Sequence, residues 1–340
     1  MQALCLNSNQ PKDLSVIEAP VPEPGPTEVR LRVKAVGICG SDVSAALGKP
    51  NFDFVIRPRI LGHEFSATVE SFGEKVEGLS EGDPVCAIAI HSCHTCDNCR
   101  AGNTQICEDR QILGFHMSGA MADSVCVDQR YIIPLRYGLG FVEGSLVEPL
   151  AVASRCVLKM CEIRPGHDVI VSGCGIIGLL CALLARAAGG NVTVTGASWD
   201  EEVRLQKARD LGFSTLVVSD ETPLADQIPR LADRFIEASG APQALAAASD
   251  SVQWGGLIGI IATYGSNIDW PATNIVRREQ KIHPCMAAAW DDFEAAMKHL
   301  RDGIIPVDDL VETFPLSRAI DAFEASFEKT TPKAVMIPED

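Results

Sequence analysis

The sequence predicts an α/β chain in two parts, an irregular, mostly-β domain and a doubly wound parallel sheet, and three observations carry that expectation. Up to about residue 140, Pro, Gly and short β-branched runs such as VRLRVKAVGI and FSATVESFG alternate with turn chemistry at EPGP and EGDP. From about Pro165 strand-like and helix-like stretches take turns, in the order HDVIVSG, IIGLLCALLARAAGG, NVTVTG, DEEVRLQKARDLG, STLVVSD, which is the pattern that winds a parallel sheet. At 340 residues the chain also exceeds what one core usually holds, so two modules are expected.

Further along, DRFIEAS and GGLIGIIATYG read as strands, and DDFEAAMKHLRDG and SRAIDAFEASFEK carry the apolar spacing of amphipathic helices. A short closing run, AVMIP, completes the chain's pattern. Hydrophobic residues make up 46% of the chain and charged residues 22%, enough apolar material for cores. The 29 Lys plus Arg against 45 Asp plus Glu leave a formal charge of -16, which repels phosphate backbones and anionic headgroups and excludes nucleic acid and membranes as partners. The first residues, MQALCLNSNQPKDLSV, lack a basic stretch followed by an apolar run, so a cytoplasmic location is expected. There, thirteen cysteines point to metal ligation or catalysis, because reductants keep thiols reduced and an odd number cannot pair completely within one chain.

The stretch CHTCDNCRAGNTQIC sets Cys93, Cys96, Cys99 and Cys107 at the spacing C-x2-C-x2-C-x7-C. Two-residue gaps let successive thiolates converge on one ion, and the longer gap brings the chain back for a fourth tetrahedral ligand. A closed, all-thiolate structural zinc is the reading, with an iron-sulfur centre as the competing metal. Such a site has no open position, so chemistry needs a second constellation. GICGSD contains Cys39, Ser41 and Asp42; ILGHEF contains His63 and Glu64; SLVEPLAVA contains Glu148. One soft thiolate, one imidazole and one or two carboxylates suit a zinc that keeps a place for water or substrate.

VIVSGCGIIG places Gly173, Gly175 and Gly178 after an expected strand and at the start of an expected helix, with Ile176 and Ile177 in the variable positions. The first glycine permits the tight turn, the second admits a pyrophosphate against the backbone, and the third lets the helix pack closely. This is the fingerprint of a Rossmann-like dinucleotide site. An acid at the end of the next strand would hold the ribose hydroxyls, but NVTVTGASWDEE has Gly196 there. With Ser198 as a phosphate donor the balance tilts to NADP, whereas Asp200, Glu201 and Glu202 disfavour an extra phosphate, so NAD stays open. Arg204 serves either cofactor, against the adenine or the phosphate.

In this order, CGSD, GHE, EGDPV, the four-cysteine lobe, VEPLAVA and the glycine fingerprint resemble the zinc-dependent medium-chain dehydrogenase/reductase (alcohol dehydrogenase) family, in its polyol (sorbitol-like) and threonine dehydrogenase branch. The resemblance spans nearly the whole chain and implies a GroES-like catalytic domain, residues 1–153 completed by 286–340, around a Rossmann domain at 154–285. It implies two zinc ions per chain. The catalytic one would be held by Cys39 and His63, with Glu64 as ligand or near-ligand and Glu148 reaching the metal directly or through its water. Glu148 stands where simple alcohol dehydrogenases have cysteine, which favours a polyol, sugar acid or similar small polar secondary alcohol. Ser41 would pass the hydroxyl proton outward and Asp42 would orient the ligating imidazole, a helix N-cap being the alternative role for Asp42. The family's relay histidine five residues after the ligand cysteine is Ser44 here, so the relay ends in water, in cofactor hydroxyls or in another histidine such as His116. Ser44 and Ala45 replace larger residues common in sorbitol-type members, and Phe52 and Phe115 fall at pocket positions of the family. The active site is expected in a cleft, and the chain as a homodimer or homotetramer pairing through GGLIGIIA and KIHP. The competing functions are a zinc-independent quinone or enoyl-type NADPH reductase and a zinc-ribbon interaction module.

Overall fold

The computed structural model describes residues 1–219 and 221–339. The chain divides into two compact units, Met1–Pro149 with Ala288–Asp340, and Leu150–Ala287.

In the first unit the strand Glu28–Gly37 buries Val29, Leu31, Val33 and Ala35 and turns Arg30, Arg32 and Lys34 outward, the period of two that a half-covered sheet imposes. It sits inside a seven-stranded sheet ordered Ile132–Pro134, Pro84–Ala87, Glu64–Phe72, Glu28–Gly37, Lys333–Ile337, Val311–Pro315, with Ser124–Asp128 paired to its first half. Gly37 faces Glu64 in one neighbour and Val335 in the other, so the chain's last strand lies beside a strand nearly three hundred residues earlier. A three-stranded sheet of Leu14–Glu18, Gln2–Leu6 and Arg59–Ile60 lies apart from this one, and the two-residue strands Ile90–His91 and Gln111–Ile112 pair at the base of the cysteine lobe.

The second unit is a six-stranded parallel sheet in the order Ser214–Val217, Asn191–Gly196, Asp168–Ser172, Ala232–Glu237, Val252–Ile260, Lys281–Pro284. The strand order reverses between Asp168–Ser172 and Ala232–Glu237, the place where such sheets open a crevice at their carboxyl ends. Helix Ile176–Ala187 is apolar enough to bury every residue from Gly178 to Ala185. On the sheet's core face Ile170, Phe235, Leu245, Ala248, Val252 and Ile258 pack together, each large side chain contributing about 1.5–3 kcal/mol of burial.

The helix expected over DEEVRLQKARDLG is not regular. A 3-10 turn, Ser198–Asp200, leads into a wide π turn, Glu201–Leu205, and only Gln206–Asp210 is α-helical. Tertiary packing overrides the local pattern here, since Leu205 is fully buried against Gly196 while Arg204, one residue earlier, reaches back toward Gly175. The strand read at STLVVSD runs over Ser214–Val217, and its last residue, Asp220, lies outside the described residues, as does Asp340.

Candidate metal centres and dinucleotide site

Cys39 closes the turn after Glu28–Gly37 and is the N-cap of the short helix Gly40–Ala46. Asp42 is not the cap. It sits two residues into the helix, where its carboxylate accepts from the Cys39 backbone N–H at 3.0 Å and faces His63 Nδ1 at 3.6 Å, longer than a hydrogen bond. Both facing atoms are buried and otherwise unpartnered. This arrangement favours a proton on Nδ1 and leaves Nε2 as the lone-pair nitrogen, which lies 3.3 Å from Ser41 Oγ. One ligand atom each from Cys39, His63 and Glu64 lies within 4.8 Å of the others. The donor set, a thiol, an imidazole with a carboxylate behind it and a carboxylate, fits zinc. Without a metal, burial and the Asp42 charge push the Cys39 thiol up, the state that a bound cation reverses.

Glu148 is not a member of that tight group among the described residues. It stands near the start of helix Val147–Ser154, where burial pushes its carboxyl up to about 7, the His63 charge pulling it back and Asp42 adding to the rise. It is thus within electrostatic reach of His63 but farther than direct ligation with the other three. Phe115 packs edge-on to the His63 ring at 5.3 Å, with Phe52 and Phe54 at 6.0 and 5.9 Å from it. His116 stacks on Phe54, and its Nδ1 accepts from the Ile112 backbone N–H at 3.1 Å.

Sequence reasoning missed Lys333. Its side chain is wholly buried, donates to Ile38 O at 2.9 Å and pairs with the Glu64 carboxylate. Gly37 makes room for it: a Cβ there would lie 2.6 Å from Lys333 Cε. Burial pushes this ammonium down to about 8, with Cys39 and Asp42 opposing. No local signal marks TPKAVMI as part of a metal site.

In the lobe, Cys93, Cys96, Cys99 and Cys107 again bring their sulfurs within 4.8 Å of one another. The Cys93–Cys99 and Cys96–Cys107 sulfurs are 4.0 Å apart, close to the edge of about 3.8 Å that a zinc tetrahedron with 2.3 Å bonds requires. Backbone N–H groups of Thr95 and Cys96 donate to Cys93 Sγ at 3.4 and 3.3 Å, and that of Cys93 donates to Cys107 Sγ at 3.2 Å. Hydrogen bonds from the Thr95 side chain and from these backbone groups bring the Cys93 thiol down to about 6, so one thiolate is ready at neutral pH. His94 is tied to the Tyr131 hydroxyl at 3.1 Å, and Asp97 is fully exposed.

In the second unit Gly173 adopts φ +106, and a Cβ at Gly178 would fall 1.9 Å from Gly173 O. Only glycine fits at either position. Gly175 is the N-cap of helix Ile176–Ala187, whose first two residues, Ile176 and Ile177, stay partly accessible. Gly196 ends the neighbouring strand against buried Cys174, and Ser198 starts the 3-10 turn beyond it. Asp200 accepts from the Ala197 N–H at 3.2 Å and lies 3.9 Å from Arg204, whose Nη1 is 4.0 Å from where a Gly175 Cβ would be. Arg204 Nε is buried and without a partner, a cationic donor beside the glycine turn.

A model of the alcohol dehydrogenase GroES-like domain matches residues 25–137, and one of a zinc-binding dehydrogenase matches residues 177–302. Sorbitol dehydrogenase of Halalkalibacterium halodurans is 29% identical over 348 residues, spanning 100% of both chains. L-threonine 3-dehydrogenase of Saccharopolyspora erythraea is 31% identical over 349 residues, 96% of each chain. Among solved structures, 2R,3R-butanediol dehydrogenase from Bacillus subtilis matches with a TM-score of 0.88 and 29% identity over 99% of both chains.

Proposed function

The chain belongs to the zinc-type medium-chain dehydrogenases, in their polyol and threonine branch, and from that premise we propose that it moves hydride between a secondary hydroxyl of a polyol, sugar acid or similar small polar alcohol and a nicotinamide dinucleotide. It is an oxidoreductase. The observation that carries the site assignment is the meeting of Cys39, His63 and Glu64 donor atoms within 4.8 Å.

Cys39 and His63 would hold a catalytic zinc, and the four lobe cysteines a structural one. When bound, the zinc supplies a Lewis acid that lowers the pKa of a substrate hydroxyl, and the nicotinamide supplies the hydride acceptor. Ser41 Oγ, at 3.3 Å from His63 Nε2, is placed to relay the hydroxyl proton, accepting it while handing its own outward to water or a cofactor hydroxyl. Asp42, facing Nδ1 at 3.6 Å, would orient the imidazole by its charge. Pairing with Lys333 supports Glu64 as a near-ligand whose charge is already partly neutralised. Glu148, outside the tight group, is read as reaching the metal through its water. Phe52, Phe54 and Phe115 supply an apolar wall beside His63, so the substrate presents a carbon face there.

For the cofactor, Gly196 in place of an acid, Ser198 and the partnerless Nε of Arg204 support NADP, with Asp200 engaged by Ala197 and Arg204. Thirteen cysteines free of disulfides support a reducing, cytoplasmic setting, and no helix among the described residues is long and apolar enough to cross a membrane. Homodimer or homotetramer formation has a ready edge in Lys281–Pro284, the last strand of the parallel sheet.

The test is reduced-nicotinamide formation with NAD and NADP across polyols, sugar acids, amino alcohols and simple secondary alcohols. We expect turnover on one polar class, lost in Cys39→Ala while the lobe zinc is retained. Full activity in Cys39→Ala overturns the metal assignment, and silence on every polar alcohol overturns the substrate class.

A further inference from the structure

Glu237 has no part in the zinc chemistry, yet it is fully buried at the carboxyl end of the strand next to the fingerprint strand. Four neutral donors surround its carboxylate. The Ser239 N–H at 2.9 Å and the Ser239 hydroxyl meet Oε1, and the Gly240 N–H at 3.3 Å and the Tyr264 hydroxyl meet Oε2. Ser239 and Gly240 belong to the loop after Ala232–Glu237; Tyr264 belongs to the loop after Val252–Ile260. The Glu237 carbonyl accepts from the Ile261 and Ala262 N–H groups at 3.0 and 3.2 Å, so one residue fastens both loops.

These loops abut the dinucleotide turn. Ala238 N–H donates to Ser172 O at 2.8 Å, and a Cβ on Gly173 would fall 2.7 Å from Ser239 N. A dinucleotide crosses such a sheet at the point where the strand order reverses. Its fingerprint half lies over Asp168–Ser172 and Asn191–Gly196, so its other half, with the nicotinamide, lies over Ala232–Glu237 and Val252–Ile260. The Glu237 clamp is therefore under the reactive half.

We propose that Glu237 is a positioning residue for the nicotinamide half of the cofactor, its carboxylate fixing the Ala238–Gly240 and Ala262–Tyr264 loops against the fingerprint turn. The inference rests on the reading of a dinucleotide site at the glycine turn. The charge state matters as well as the shape. A glutamine amide presents NH2 where one oxygen stood, and in either orientation that NH2 faces a backbone N–H, of Ser239 or of Gly240, which cannot turn to accept, so the 238–240 loop loses a bond while the volume is kept. The fingerprint loop and helix Ile176–Ala187 do not depend on that carboxylate and retain the other half of the ligand.

The experiment compares Glu237→Gln and Tyr264→Phe with the unmodified zinc-loaded protein. It measures the Kd of whichever reduced dinucleotide binds more tightly, NADPH or NADH, and of the matching nicotinamide-free fragment, 2'-phospho-ADP-ribose or ADP-ribose. In Glu237→Gln the dinucleotide is expected to weaken about tenfold, equivalent to about 1.4 kcal/mol, with the fragment within about twofold. Tyr264→Phe removes one donor only and should shift the same ratio less; it carries the test if Glu237→Gln does not fold. Equal weakening of both ligands, or of neither, overturns the inference and leaves the dinucleotide site standing. Failure of the unmodified protein to bind fragment or dinucleotide overturns the dinucleotide reading and this inference with it.

Discussion

Replacing Lys333 with methionine would leave a carboxylate in the protein interior with no cation. The Lys333 side chain is 0% exposed and that of Glu64 2%, so water cannot take over the ammonium's part. Methionine keeps most of the aliphatic stem, and the loss is therefore electrostatic. Removing one partner of a buried ion pair costs about 3–5 kcal/mol, because the other charge remains desolvated and unpaired. Losing the donor to Ile38 O, a 2.9 Å hydrogen bond, adds about 1 kcal/mol. For a unit of about 200 residues each kcal/mol moves Tm by about 2–4 °C, so the ion-pair loss alone lowers Tm by about 6–20 °C. Urea and thermal unfolding measure it, in a Cys39→Ala background so that a metal at Cys39 cannot neutralise Glu64 instead. The double variant Lys333→Met with Glu64→Gln should recover more than half of the loss, since it buries no unpaired charge. A loss below about 1 kcal/mol, the range of an exposed pair, would refute the reasoning, as would a double variant no more stable than the single one.

Three other outcomes are expected. Cys96→Ser should lower bound zinc by about one equivalent and Tm with it while the Cys39 site keeps its metal, as measured by elemental analysis; unchanged zinc content would dissolve the lobe assignment. Arg204→Leu should lower kcat/KM for NADP about 10- to 100-fold and for NAD less than about threefold; equal losses would mean that the guanidinium serves the shared pyrophosphate or adenine. His299, whose Nε2 is buried without a partner, is pushed down by burial with Asp302 opposing. The folded chain therefore binds its proton less readily than the unfolded one, so this stability is present above the ordinary imidazole pKa of about 6.5 and is lost as pH falls below it. Urea midpoints at several pH values should fall less steeply on acidification in His299→Leu, and parallel curves would remove this contribution.

What the sequence by itself determined was whatever is local. Cys93, Cys96, Cys99 and Cys107 span one short segment, and their spacing already pointed to the cluster in which their sulfurs meet. Gly173 and Gly178 announce their turn because the backbone admits no side chain there, while Gly175 between them leaves its space open. The parallel sheet was legible in the alternation of strand and helix texture. Local pattern failed at Glu201–Leu205, where seating Leu205 beneath Gly196 outweighed regular helix. It was silent on Lys333, 269 residues from the Glu64 it neutralises, and on Tyr264, which closes the Glu237 clamp from a separate loop. Only the tertiary structure decided these, because an ion pair or hydrogen bond forms by distance in space, and it was strand pairing at Gly37 and the adjacency of two strand ends in the parallel sheet that brought those groups together.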